Sequence, residues 1–287
     1  MKIAVLSGKG GAGKTLVATN LALLVSQTGR AVSYLDCDVE EPNGRIFLRP
    51  QDLQTLPVST KLPQFDEELC SGCRRCVDFC RFNALFFVKR KPRVFPEICH
   101  SCGGCQLVCP SQAITEVDRP VGQVELGRRE QLRIITGILQ LGEASAVPVI
   151  SAVLAQARPQ ELTIIDGPPG SSCSVMESVA HVDYCLLVVE PTAFGLHNFA
   201  MVRELAQLLG KPCGVVVNKA DQSYPPLEEY CRQEQLPILA RLPYEQQLAA
   251  SLAEGQLAVE QSSAWRHRFQ DLWEQLSVLE QEGGARP

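Results

Sequence analysis

The sequence predicts an α/β fold: a mostly parallel sheet flanked by helices, interrupted once by a small α+β domain. Three observations carry that expectation. Short apolar runs alternate with helical patterns along most of the chain, a glycine-rich turn joins the first run to the first helix, and a cysteine-rich stretch breaks the alternation. Strands alternating with helices read as βα units, whose parallel strands need helical crossovers.

In chain order, an apolar run from Lys2 to Leu6 leads into the glycine-rich turn. Apolar residues then recur at helical spacing from Lys14 to Gln27, and Gly29 ends the helix. A second strand, Ala31 to Leu35, runs into Asp36. From about Leu62 to Asp118 the chain is rich in cysteine, with short apolar runs, prolines and no helix of normal length, which marks an inserted domain. Alternation resumes with strands expected at Leu132 to Ile138, Leu162 to Asp166, Tyr184 to Val189, Gly214 to Val217 and Ile238 to Ala240, and a helix such as Val202 to Leu209. The expected division is 1–61 and 119–287 for one interrupted domain and 62–118 for the insert.

The totals fit this plan. At 287 residues and 31.4 kDa the chain can bury one large core and a satellite. A net charge of −5 gives no electrostatic reason to expect nucleic acid. No apolar run approaches the roughly 20 residues of a membrane span, and the strand-like Ile3 to Leu6 is too short for a signal peptide. A cytoplasmic protein that meets neither membrane nor nucleic acid is therefore expected. Thirteen cysteines in such a chain point to metal binding before disulfides.

Residues Gly8, Lys9, Gly10, Gly11, Ala12, Gly13, Lys14 and Thr15 fit G-x-x-x-x-G-K-T between a strand and a helix. Glycines let backbone N–H groups close around phosphate oxygens, and the helix N-terminus adds partial positive charge. Lys14 is expected to reach the β- and γ-phosphates and Thr15 to ligate magnesium, with Leu16 continuing the nucleotide-lined segment. Lys9 before Gly10-Gly11 makes the loop resemble the deviant Walker A motif, KGGxGKT, of the MinD, ParA, Mrp and nitrogenase iron-protein superfamily of P-loop NTPases. That resemblance implies that Lys9 reaches across a dimer to the partner's nucleotide. An ATP-dependent homodimer, or a heterodimer with a paralogue, is then the active form.

Asp36-Cys37-Asp38 closes the second strand, where a carboxylate can approach metal and attacking water. It looks like the family's switch I, which assigns the water-orienting role to Asp38 and the place nearer magnesium to Asp36. The strand from Thr163 ends in Asp166-Gly167-Pro168-Pro169-Gly170. Asp166 resembles the Walker B acid that holds magnesium through water, and Gly170 a switch II hinge. Asn218-Lys219-Ala220-Asp221 matches the guanine-reading NKxD motif literally. Relatives of this kind also carry an asparagine there, in which case Asn218 contacts adenine. The deviant loop favours ATP over GTP.

In the insert, Cys70, Cys73, Cys76, Cys80 and Ala84 recur 29 residues later as Cys99, Cys102, Cys105, Cys109 and Ala113, a duplicated unit. Each copy is a bacterial ferredoxin signature, three close thiolates and a fourth further on. Because the fourth cysteine of each run ligates the other cluster in two-cluster ferredoxins, Cys70, Cys73, Cys76 and Cys109 are expected on one 4Fe-4S cluster, and Cys80, Cys99, Cys102 and Cys105 on the other. Arg81 departs from the proline usual after the fourth cysteine. Structural zinc uses cysteine pairs separated by a longer loop rather than triplets with a fourth. The remaining Cys37, Cys185, Cys213 and Cys231 read as small buried hydrophobes, while Cys173 follows the Asp166 turn.

Trp265, Phe269, Leu272, Trp273, Leu276 and Leu279 recur at helical spacing with a polar face of mixed charge, which predicts docking on the core rather than on lipid. The whole resembles MinD-superfamily ATPases containing an inserted ferredoxin domain. The fusion implies a Mg-dependent ATPase that assists assembly of iron-sulfur or other metallocofactors through an unidentified client. Two further readings are ATP-gated electron delivery to a redox partner, and spatial organisation of the ParA and MinD kind with structural clusters.

Overall fold

The computed structural model describes residues 1–283; the expected segment 119–287 therefore ends, at 284–287, outside the described residues. In chain order the elements are β1 (Lys2–Ser7), α1 (Lys14–Ser26), β2 (Val32–Asp36), α2 (Gly44–Leu48), β3 (Gln51–Phe65), α3 (Arg75–Phe79), β4 (Leu85–Val88), β5 (Lys91–Val94), α4 (Gly104–Leu107), β6 (Ile114–Arg129) and β7 (Leu132–Leu139). There follow α5 (Val147–Leu154), β8 (Leu162–Asp166), α6 (Cys173–Val179), β9 (Tyr184–Val189), α7 (Ala193–Leu208), β10 (Cys213–Asn218), α8 (Pro225–Gln233), β11 (Ile238–Leu242), α9 (Gln246–Ala253), α10 (Ala258–Gln261) and α11 (Ser263–Gly283).

The large sheet runs β11-β10-β9-β1-β8-β2-β7-β6-β3. Every pairing from β11 to β7 is parallel. Strands β1, β2, β8, β9 and β10 are buried along nearly their whole length, which is why they read as unbroken apolar runs rather than alternating ones. The α/β fold with a mostly parallel sheet flanked by helices is the observed one. Helix α1 is buried on nearly all sides, and α11 lays Trp265, Phe269, Leu272 and Leu276 into the same core as Ile3, Tyr34, Ile164 and Leu186. Each such side chain contributes about 1.5–3 kcal/mol by leaving water. The C-terminal helix is thus a core helix, as its spacing predicted.

The chain divides into two compact units. One holds Met1–Leu56, Val124–Ile138 and the described chain from Ile150 onward; the other holds Pro57–Gln123 and Leu139–Val149. The positions 62 and 118 chosen from composition fall inside β3 and β6, two long strands that leave one unit and enter the other.

In the second unit the duplication is visible in the backbone. The short helices α3 and α4 start at equivalent positions, each preceded by a left-handed residue, Arg74 (φ 67) and Gly103 (φ 70). Asn83 (φ 52) and Gln112 (φ 51) repeat the same turn, and Ala84 and Ala113 are both buried. The carbonyl of Ala84 accepts from Phe95 N and that of Ala113 from Asp66 N, each at 2.8 Å. Strands β4 and β5 close a two-residue hairpin, with Val88 opposite Lys91.

Candidate functional site

The glycine-rich turn leaves the C-terminal end of β1 and enters α1 through Gly13, whose φ of 97° is left-handed. A Cβ there would lie 2.0 Å from Asn218 Nδ2, and one on Gly8 would lie 2.3 Å from the Asn198 backbone. Only glycine fits at either position. Asn218, at the end of β10, is buried and donates its amide to Ala12 O at 2.8 Å. The residue expected to meet a base therefore also braces the loop from below. Asp221 accepts Tyr244 N at 2.6 Å. Gly10 and Gly11 are exposed, whereas Thr15 and Leu16 are half-buried on the first turn of α1.

Lys14 turns inward and gathers the expected acids. Its Nζ lies 2.7 Å from Asp166 Oδ1 and 3.2 Å from Asp38 Oδ2. Asp36 and Asp166 are register partners at the ends of neighbouring parallel strands β2 and β8. Asp36 is fully buried and accepts Gly44 N at 2.9 Å and Asp38 N at 3.2 Å. Tyr34 donates its hydroxyl to Asp166 Oδ2 at 2.9 Å. Burial alone would pull the Lys14 ammonium down, but the Asp166 and Asp38 carboxylates outweigh it and hold the group above its ordinary value. Burial first, and then repulsion from Asp166, pushes Asp36 well above the carboxylate range; burial likewise raises Asp38. Three acidic side chains thus surround one ammonium at the carboxyl edge of the sheet. Gly170, left-handed at φ 89, donates its N–H to Ser7 O at 2.9 Å, beside the start of the loop.

Lys9 is not free in this chain. Its ammonium bonds Glu190 Oε2 and lies 5.5 Å from the centroid of the Phe194 ring. Lys219, left-handed at φ 56, bonds the other oxygen of Glu190 and lies 3.3 Å from Gly11 O. Glu190 is buried, and although burial opposes its charge, the two lysines hold its carboxyl below the usual range. The sequence reading did not single out Glu190. Its available signal was its place: an acid directly after the buried strand β9, at the carboxyl edge of a parallel sheet where ligands bind.

None of the thirteen cysteines is paired in a disulfide, and eight of them lie in the cysteine-rich unit. A cavity of about 230 Å³ is lined by Cys80, Cys99, Cys102 and Cys105, the four residues expected to share one cluster. Cys76 is buried in a small apolar cluster with Leu85 and Ile114, against which Cys80, Cys105 and Cys109 pack. Cysteines of both runs thus meet in one small core. Among the described residues no three His, Cys, Asp or Glu converge closely enough to hold a single metal ion. Four cysteines lining one cavity are a donor set whose chemistry fits an iron-sulfur cluster. Outside the runs, Cys37, Cys185, Cys213 and Cys231 are buried and Cys173 is exposed at the start of α6.

Residues 3–259 match the family model described as the CobQ/CobB/MinD/ParA nucleotide binding domain. An uncharacterised protein of Methanocaldococcus jannaschii, MJ0578, is 31% identical over 76% of this chain and 78% of its own. An iron-sulfur cluster carrier protein of Methanococcus maripaludis is 29% identical over 58% of this chain and 52% of its own. Among solved structures, the septum site-determining protein MinD complexed with Mg-ADP, from Pyrococcus horikoshii OT3, shares the fold. It aligns with a TM-score of 0.61 at 20% identity over 97% of this chain and 96% of that one. Among the described residues no helix is long and apolar enough to cross a membrane.

Proposed function

The chain belongs to the CobQ/CobB/MinD/ParA nucleotide-binding family, and from that premise we propose that it is a Mg-dependent ATP switch carrying two 4Fe-4S clusters and serving iron-sulfur or metallocofactor assembly. The observation that carries the nucleotide half is Lys14 held among Asp36, Asp38 and Asp166 at the carboxyl edge of the sheet, directly behind the glycine-rich loop. In this reading backbone N–H groups of Gly10 to Thr15 grip the phosphates, and Lys14 moves from the carboxylates to the β/γ oxygens. Thr15, Asp36 and Asp166 hold magnesium, Asp38 orients water, and Gly170 follows the γ-phosphate. Asp221, which serves Tyr244 N, is engaged away from a guanine edge, and this supports adenine beside Asn218.

The cluster half rests on the cavity lined by Cys80, Cys99, Cys102 and Cys105 and on the packing of Cys109 against the cluster that buries Cys76. When bound, such cubes supply a one-electron centre or a transferable cofactor. The iron-sulfur carrier named among the relatives supports the assembly role. Lys9 is proposed to leave Glu190 and contact a second protomer's nucleotide when ATP closes a dimer.

Anaerobically purified protein tests this directly. Iron content, ATP hydrolysis and cluster transfer to an apo-ferredoxin would be measured with and without ATP. We expect about eight irons per chain and ATP-dependent transfer. Stable clusters that never move but are reduced or oxidised only with ATP would replace assembly with gating. A Lys9→Ala protein that still dimerises with ATP and hydrolyses it normally would remove the trans role.

A further inference from the structure

The second unit contains its own control experiment. Its two halves keep the same cysteines, the same turns and the same pair of short helices, yet differ sharply in charge. Residues 74–93 hold seven cations, Arg74, Arg75, Arg81, Lys89, Arg90, Lys91 and Arg93, against a single acid, Asp78, in a chain whose net charge is −5, and of these Arg93 pairs with Glu67 at 2.8 Å. At the positions 29 residues on, Arg74, Arg75, Arg81 and Lys89 become Gly103, Gly104, Pro110 and Asp118.

The fold does not ask for these cations, and at three places it resists them. Arg74 occupies the left-handed position before α3 that the other copy fills with Gly103, the residue suited to it. Lys89 and Arg90 form the whole loop of the β4–β5 hairpin, with φ of 47° and 67°. A two-residue turn with both φ positive favours Asn-Gly or a similar pair, because a side chain there crowds the following carbonyl. Places where a local rule is broken are expected to be functional or strained sites. Arg75, Arg81, Lys89 and Arg90 are exposed and enter no ion pair among the described residues. Arg74 meets Asp78 only at 3.9 Å on the surface, and its guanidinium covers the Phe87 ring at 5.4 Å.

We propose that this basic face of the first copy, centred on the Lys89-Arg90 turn and the Arg74-Arg75 pair beside the exposed Cys73, is the docking surface for an acidic protein partner. That such a partner exchanges electrons or a cluster rests on the cluster reading above; the docking itself does not. Protein is favoured over nucleic acid by the aromatic side chains. Single strands bind through free ring faces, but here Phe87 lies under the Arg74 guanidinium at 5.4 Å and Phe86 is stacked on Phe95 at 4.3 Å. A compact acidic patch also matches a compact basic one, whereas a long polyanion would run on past it over a chain of net negative charge. Val88, 44% exposed beside the turn, supplies an apolar contact within the charged rim.

The test uses the full chain purified anaerobically and an acidic flavodoxin as probe, with single-stranded DNA of twenty nucleotides and basic cytochrome c in parallel. Wild-type protein is expected to bind flavodoxin with an association rate that falls at least about tenfold between low and high salt. The triple variant Arg74→Gly, Lys89→Asn, Arg90→Gly moves each position toward the residue its backbone favours. It should keep or raise the thermal midpoint and keep its iron, while losing about tenfold in association rate at low salt and most of the salt slope. A second variant, Arg75→Gln, alters no left-handed position and should show a loss in the same direction. Variants that bind flavodoxin as wild type does, or a thermal midpoint that drops while binding is kept, would overturn the proposal. So would steep salt-dependent binding of the DNA with none of flavodoxin. Wild-type protein that lacks iron but binds flavodoxin through these residues would remove the cluster reading and leave the docking face standing.

Discussion

Lys14 is one ammonium among three carboxylates, and the imbalance has a pH signature. Asp36 and Asp38 hold their protons more tightly in the folded chain than their ordinary value of 3.8 allows, because burial disfavours their charge. Such groups contribute stability in acid that is lost as pH rises from that value through the raised one. Nucleotide-free protein should therefore lose this contribution toward alkaline pH, and Mg-ADP, which favours the ionised carboxylates, should restore it. At about 100 times its Kd a ligand adds about 2.7 kcal/mol. The thermal midpoint should rise more on adding Mg-ADP at pH 8 than at pH 5.5, and equal increments would refute the argument. Glu190 gives a second residue-scale prediction. Its carboxylate neutralises two lysines beside the loop, so Glu190→Gln leaves more positive charge near the phosphates. Affinity for ADP, measured by titration calorimetry, should tighten by up to about fivefold, roughly 1 kcal/mol, and more so at low salt. Weaker binding would show that Glu190 positions the lysines for the nucleotide instead of restraining them.

Among the elements, the loop between β1 and α1 and the helix α11 make opposite demands. The loop needs emptiness: Gly13→Ala would place a methyl 2.0 Å from Asn218 Nδ2 in a left-handed conformation, breaking the Asn218–Ala12 brace. ADP affinity should fall at least about tenfold, 1.4 kcal/mol, with little change in secondary structure by circular dichroism. The helix needs filling: Phe269 is fully buried, so Phe269→Ala should cost about 3–5 kcal/mol in urea unfolding without conferring binding to liposomes. These elements were legible in the sequence because their signals are local: an apolar run ending at Gly or Asp, or buried residues at helical spacing. The helix expected from Val202 to Leu209 is really α7, Ala193–Leu208, whose first turns mix Gly195, His197 and Asn198 and so lack an apolar stripe. Strands β3 and β6 escaped notice for a related reason. β3 is exposed along most of its length and carries Pro57 and Pro63, and β6 carries Pro120, so neither shows the alternation that reports a half-buried strand. The ties of Lys9 and Lys219 to Glu190 and of Asn218 to Ala12 depend on the order β10-β9-β1, which brings together residues far apart in sequence.

For the whole molecule, the question is whether the two thiol sets are properties of each cysteine run or of the pair of runs folded together. Crossed sets tie the halves of the duplicated unit to one another, since neither run could complete a cube alone. Uncrossed sets would leave each half self-sufficient. Cys109 packs against the cluster that buries Cys76, and Cys80 lines the cavity with Cys99, Cys102 and Cys105, an arrangement that crossed sets would use. Single variants cannot separate the cases, because Cys76→Ser and Cys109→Ser each remove one ligand from one cluster under either scheme. The double variant can. If Cys76 and Cys109 share a cluster, removing both should cost no more iron than removing one, leaving about four of about eight irons per chain and half the visible absorbance. If each serves its own run, the double variant should lose both clusters while each single keeps one. Iron analysis of the four anaerobically prepared proteins, wild type included, decides between a folded pair and two independent halves. A further consequence follows from crossing: chelating one cluster should loosen both runs at once, and hydrogen exchange in α3 and α4 should then rise together.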